Sequence, residues 1–155
     1  MKKLILLTVF VLFNIILLAQ NSAYPNKFFV IILSTKNYVE AKKLAIKASE
    51  VLGLQLNLRA MYPNKKIGLS YPKAQALEIG DTFPYATPRG LENDENYVSV
   101  EYSSHYKGFA KGFYIVVASV FIEKDAAEIA MVKIKEKYKT AYTKQTKVGV
   151  MDFTK

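Results

Sequence analysis

Two short strings, FFVIILS at 28–34 and FYIVVAS at 113–119, carry no charge and are rich in β-branched residues. A strand of that kind has nothing to offer water on either face. It belongs in the middle of a sheet, with cover on both sides. A helix follows each string and opens on a related motif, EAKKLA at 40–45 and DAAEIA at 125–130. The chain therefore reads as a duplication. In the first copy, Asn37 and Glu40 have capping-box spacing. Apolar residues then fall at Ala41, Leu44, Ala45, Ala48, Val51 and Leu52, one stripe of a helix. Gly53 stands where a helix ends. LQLNLR alternates after it, with Leu54, Leu56 and Leu58 inward and Gln55, Asn57 and Arg59 outward. In the second copy, a helix from about Asp125 buries Ala127, Ala130, Met131, Ile134 and Tyr138, and TAYTKQTKVGV forms a polar alternating strand.

Two β-α-β units predict an α+β fold, a ferredoxin-like β-α-β-β-α-β sandwich. The apolar strands take the centre of the sheet and the alternating strands its edges, where one face meets water. Helices cover only one face of such a sheet. The other face needs a ligand, a partner chain or the segment between the units.

That segment, 60–112, is too long for a simple loop. It holds Pro63, Pro72, Pro84 and Pro88 and several glycines, so much of it is turns. YVSVEYS at 97–103 alternates, with Val98, Val100 and Tyr102 against Tyr97, Ser99 and Glu101. It predicts an extra strand, paired with 114–121 through the loop SHYKGFAKG. Tyrosines gather here, at Tyr62, Tyr71, Tyr85, Tyr97, Tyr102 and Tyr106. A tyrosine ring offers an apolar plate with a polar tip, suited to stacking on a ligand or to capping the sheet. LENDEN at 91–96 lacks the ligand ladder of a calcium loop and reads as a solvated turn.

The N-terminus sets the compartment. Lys2 and Lys3 precede an apolar run at 4–18, and the chain then turns polar. This order describes a signal peptide over 1–20, cleaved near Ala19 or Gln20. An uncleaved anchor is the alternative, but the run is short for a span of about 20 residues. Removing 1–20 leaves 20 basic and 13 acidic residues, a net charge of +7. The mature domain, 27–155, is thus expected to be exported, periplasmic or attached to the envelope. It would meet anionic envelope polymers rather than nucleic acid.

Catalytic signals are weak. The chain has no cysteine and one histidine, which argues against thiolate catalysis and a zinc site. No phosphate loop, dinucleotide fingerprint or nucleophile elbow occurs. Ser104 and His105 are adjacent, so on a strand they point to opposite faces. His105 reads as a contact residue on a turn, and no cofactor is expected.

Strand, serine, acid-and-alanine helix and alternating strand together resemble the SPOR (sporulation-related) repeat. Its pattern is Y-x-V-x-x-G-S-F followed by E-A-E-x-L/A and a helix. YIVVASVF at 114–121 with DAAEIA, and FFVIILST at 28–35 with EAKKLA, carry the likeness. Leu33 and Ala118 stand at the family's glycine, and 60–112 lies outside the likeness. The resemblance implies a non-enzymatic module that binds peptidoglycan glycan strands on the sheet side opposite the helices. Gln55, Asn57 and Arg59 would then line the site, with Thr143 and Gln145 on the equivalent edge. Tyr97, Ser99, Tyr102, His105 and Tyr106 add contact groups from the middle segment. The alternative is a periplasmic interaction or inhibitor protein that uses the tyrosine-rich segment. An open sheet face suits the glycan reading; a covered one suits the protein partner.

Overall fold

The computed structural model describes residues 26–91 and 93–149. The expected signal peptide over 1–20, with its cleavage point, and Glu92 lie outside the described residues. Along the chain run β1 (Asn26–Thr35), α1 (Tyr38–Leu52), β2 (Gln55–Leu56), β3 (Tyr62–Asn64), β4 (Gly68–Ser70), α2 (Lys73–Glu78), β5 (Tyr97–Tyr102), β6 (Tyr114–Phe121), α3 (Lys124–Lys137) and β7 (Tyr142–Lys147). The fold is α+β. Five strands form one sheet in the order β2-β5-β6-β1-β7, and β3 and β4 form a separate hairpin.

The two apolar strings lie side by side in the sheet, as β1 and β6, antiparallel. Alternation sends Val30, Ile32, Val116 and Ala118 to the helix side and Phe29, Ile31, Ile115 and Val117 to the other. Register shifts in the β1–β6 pair re-aim side chains, so that Val120 joins Phe29 on the far side. β7 closes one edge against β1. The extra strand β5 pairs with β6 as its sequence predicts, and β2 adds to it in parallel at the other edge. The first unit's second strand therefore does not reach β6; β5 stands between them.

α1 forms for the reasons its sequence gives. The Asn37 side chain accepts from the Val39 and Glu40 amides. Thr35 Oγ1 bridges the box, accepting from the Asn37 amide and donating to Glu40 at 2.5 Å. Gly53 ends the helix with φ 63°. Ala41, Ala45 and Ala48 bring its backbone close to the sheet. Two residues of the expected inward set are exposed, Val51 at the helix end and Leu56 on the two-residue β2. LQLNLR fails as a longer strand because the chain reverses at Arg59 and Ala60, both left-handed with φ 57° and 50°.

The second sheet face is covered by the chain itself. Phe29, Ile31, Ile115, Val117 and Val120 pack with Tyr106, Val148 and Phe109. Phe29 is fully buried and meets Tyr106 edge-on, with ring centroids 4.9 Å apart. The molecule is thus helices, sheet and an irregular third layer drawn largely from the middle segment.

Candidate functional site

Beside the apolar part of that third layer lies a buried polar network. Glu101, on β5, has no exposed surface. Its Oε1 accepts from Ser99 Oγ at 2.8 Å, and its Oε2 from Arg59 at 3.1 Å and from the Tyr106 hydroxyl at 2.9 Å. Arg89 lies in a Pro–Gly loop and is also buried. Nε donates to Glu95 Oε2, Nη1 to Ser99 Oγ and the Val117 carbonyl, and Nη2 to the Glu95 and Tyr97 carbonyls. All five guanidinium donors are used. The guanidinium also sits 3.8 Å from the Tyr97 ring centroid. Two cations and two carboxylates balance, and the Tyr106 hydroxyl joins the halves by accepting from the Arg89 amide.

Burial, the largest single influence, works against the charge on Arg59, but the fields of Glu101, Tyr106, Tyr71 and Tyr97 together more than offset it, and its pKa rises. Burial, followed by the field of Glu101, raises the Tyr106 pKa well above the ordinary phenol value, so the hydroxyl stays protonated. Bonding this dense at Arg89 and Glu101 fixes structure, and Arg89 has no donor to spare for a ligand.

The expected site residues divide accordingly. Arg59, Tyr97, Ser99 and Tyr106 come together, but inside the network. Arg59 turns inward because the left-handed reversal re-aims it, and the Asn57 side chain supports that turn by accepting from the Arg59 amide at 2.8 Å. Gln55 and Asn57 stay exposed at the outer edge. Thr143 pairs with Val30 and Gln145 with Phe28, which places both on the helix side of β7. The row implied for the opposite face is therefore not assembled there. Tyr102 packs against the helix-side cluster.

His105 does not meet a serine hydroxyl. Its Nε2 lies 2.8 Å from the Ile67 carbonyl, which only accepts, so Nε2 carries the proton. Burial lowers its pKa, keeping the ring neutral near pH 7. Ser103 Oγ accepts from the Phe113 amide and Ser104 Oγ from the Gly112 amide. YSSHYKGF thus clamps a chain reversal and the β3–β4 turn. LENDEN is exposed at Leu91, Asn93, Asp94 and Asn96, as a solvated turn should be, with Asp94 accepting from the Ile122 amide; Glu95 departs from that reading by turning in to pair with Arg89. Among the described residues no group of three His, Cys, Asp or Glu is placed to hold a metal.

The covered face carries an opening among the described residues. A shallow cleft of about 170 Å³ lies where β1 ends and β6 and β7 begin. Ser34, Ser103, Phe109, Ala110, Phe113, Ile115 and Tyr142 line it. Tyr142 is 40% exposed, and its hydroxyl shares a 2.8 Å hydrogen bond with Ser34 Oγ. Lys36 Nζ stands 5.6 Å from the Phe113 ring centroid and Lys144 Nζ 5.9 Å from that of Phe109. None of the expected ligand-binding residues lines this cleft. The available signal was KGFAKGF at 107–113, two aromatics among lysines. Comparison with known proteins returns no match: no family model, curated protein or solved structure is similar to this chain.

Proposed function

We propose that this chain is an exported, non-enzymatic binding module for an anionic partner of the cell envelope, and that the partner is a protein. One observation carries the choice. The sheet face that a glycan strand would cross is filled by Tyr106, Phe109, Val148 and the Arg89 loop. The core is read as ferredoxin-like, with β5 inserted between the two units, which keeps the SPOR resemblance at the level of architecture. The tyrosines serve mainly as cover: Tyr106 is buried, while Tyr71, Tyr85, Tyr97 and Tyr102 are half-buried. The contact surface is therefore sought outside them.

The peptidoglycan reading keeps the support of the repeat pattern and the +7 mature charge. The two readings separate in a retention assay on isolated sacculi. The protein reading expects no retention beyond that of a basic control protein, and a stoichiometric complex with a purified crosslinked partner. Saturable retention that is lost when stripped glycan strands are digested would overturn it in favour of glycan.

A further inference from the structure

We infer that the cleft at Phe109, Phe113 and Tyr142 receives one large apolar side chain from an acidic peptide segment of the partner. This rests on the protein-partner reading and names what that partner presents. Its volume, about 170 Å³, is below the roughly 300 Å³ at which small-molecule sites begin, so it suits one side chain rather than a cofactor. The lining is chiefly aromatic and aliphatic carbon, with Ile115 and Ala110 between the rings. Burying an apolar anchor there removes carbon surface from water on both partners.

Charge selects the segment around the anchor. No carboxylate lines the cleft. Lys36 and Lys144 stand beside Phe113 and Phe109, and neither forms an ion pair among the described residues. Lys107 and Lys111 are exposed on the turn that carries Phe109. Acidic residues flanking the anchor would meet ammonium groups beside both rings, and a basic segment would be repelled. The Ser34–Tyr142 hydroxyl pair adds a polar contact at the rim for a peptide carbonyl or amide.

The test uses the protein recovered from expression of the full chain. The probe is a blocked pentapeptide with a central Leu between paired Asp and Glu residues, titrated by NMR at low salt. Shifts confined to Phe109, Phe113, Tyr142 and their neighbours are expected. Replacing the central Leu with Ala should weaken binding about tenfold. Ala110→Trp, which fills the cleft from an exposed position, should abolish it with the melting temperature unchanged. Lys36→Met with Lys144→Met should weaken it about fivefold and flatten its salt dependence. No saturable shifts at millimolar peptide, shifts that ignore Ala110→Trp, or tighter binding of a glucuronic-acid oligosaccharide would each overturn the inference. A protein complex whose crosslinks map elsewhere would also overturn it, while leaving the protein-partner reading intact.

Discussion

Glu101→Gln tests whether the polar network, rather than apolar packing alone, holds the third layer on the sheet. The substitution keeps shape and volume. Its amide oxygen can still accept from Arg59 and Tyr106, and its amide NH₂ can donate to Ser99 Oγ, which then loses the acceptor for its own proton. Arg59, whose side chain is 11% exposed, loses its only carboxylate partner among the described residues. Removing one member of a buried pair costs about 3–5 kcal/mol. The retained neutral bonds return part of this, so a loss of about 3 kcal/mol is expected. At roughly 2–4 °C per kcal/mol for a chain of this size, the melting temperature falls by about 6–12 °C. Urea unfolding supplies the measurement, with an unchanged slope confirming that only stability moved. Arg59→Met with Glu101→Leu removes both charges and should cost less than Glu101→Gln alone, because no ion is left stranded. A loss under about 1 kcal/mol for Glu101→Gln, or a double variant worse than either single change, would refute the reasoning.

Gly68 has φ 81°, and an added Cβ would lie 2.1 Å from the Tyr102 ring. Gly68→Ala should cost about 3 kcal/mol by urea unfolding, against about 1 for Gly80→Ala, whose φ is similar but which faces open space. Ala60→Gly relieves a left-handed alanine and should be neutral or stabilising by up to about 1 kcal/mol, whereas Ala60→Val should destabilise; equal unfolding midpoints for the two variants would contradict this. The lowered pKa of His105 means that the unfolded chain takes up the proton first as pH falls below about 6.5. Stability is then whole above that pH and declines below it, by at most about 1.4 kcal/mol per pH unit for one group, until the folded-state pKa is passed. His105→Gln should flatten the pH 5–7 stability profile, and an unaltered slope would exclude the assignment. The amides of Glu95 and Val120, which exchange 2.8 Å hydrogen bonds, should exchange with solvent only as slowly as global unfolding allows; faster exchange would show that the third layer lifts on its own.

Local signals made half of this architecture legible in the sequence. Apolar continuity placed β1 and β6, alternation placed β5 with its correct faces, and Asn37 and Gly53 marked both ends of α1. The failures share a cause. Arg59 reads as outward from LQLNLR alone, and only Glu101, 42 residues on, accounts for its turning inward. Arg89, among Pro88 and Gly90, looks like a solvated loop residue; its burial depends on acceptors at 95, 97, 99 and 117. The cleft is built from the ends of three strands and the 109–113 turn, so no single stretch carries its pattern.

These failures bear directly on function. Ser99, Tyr97, Arg59 and Tyr106 suit a ligand site because they are polar or aromatic. The same properties make them suitable for fastening a polar loop over that sheet. The distinction lies in spare hydrogen-bonding capacity. Arg89 has none, and Glu101 has three donors on its two oxygens. Exposing Phe29 and Ile31 to a ligand would strand Arg89 and Glu101 at once. Hydrogen bonds to charged groups contribute about 1.5–3 kcal/mol each, and a protein of this kind has only about 5–15 kcal/mol in total. Opening the face therefore approaches the cost of unfolding the molecule. A binding partner of the proposed kind would have to use what is already open, which at this end of the sheet includes the Phe109–Phe113–Tyr142 cleft with its flanking lysines.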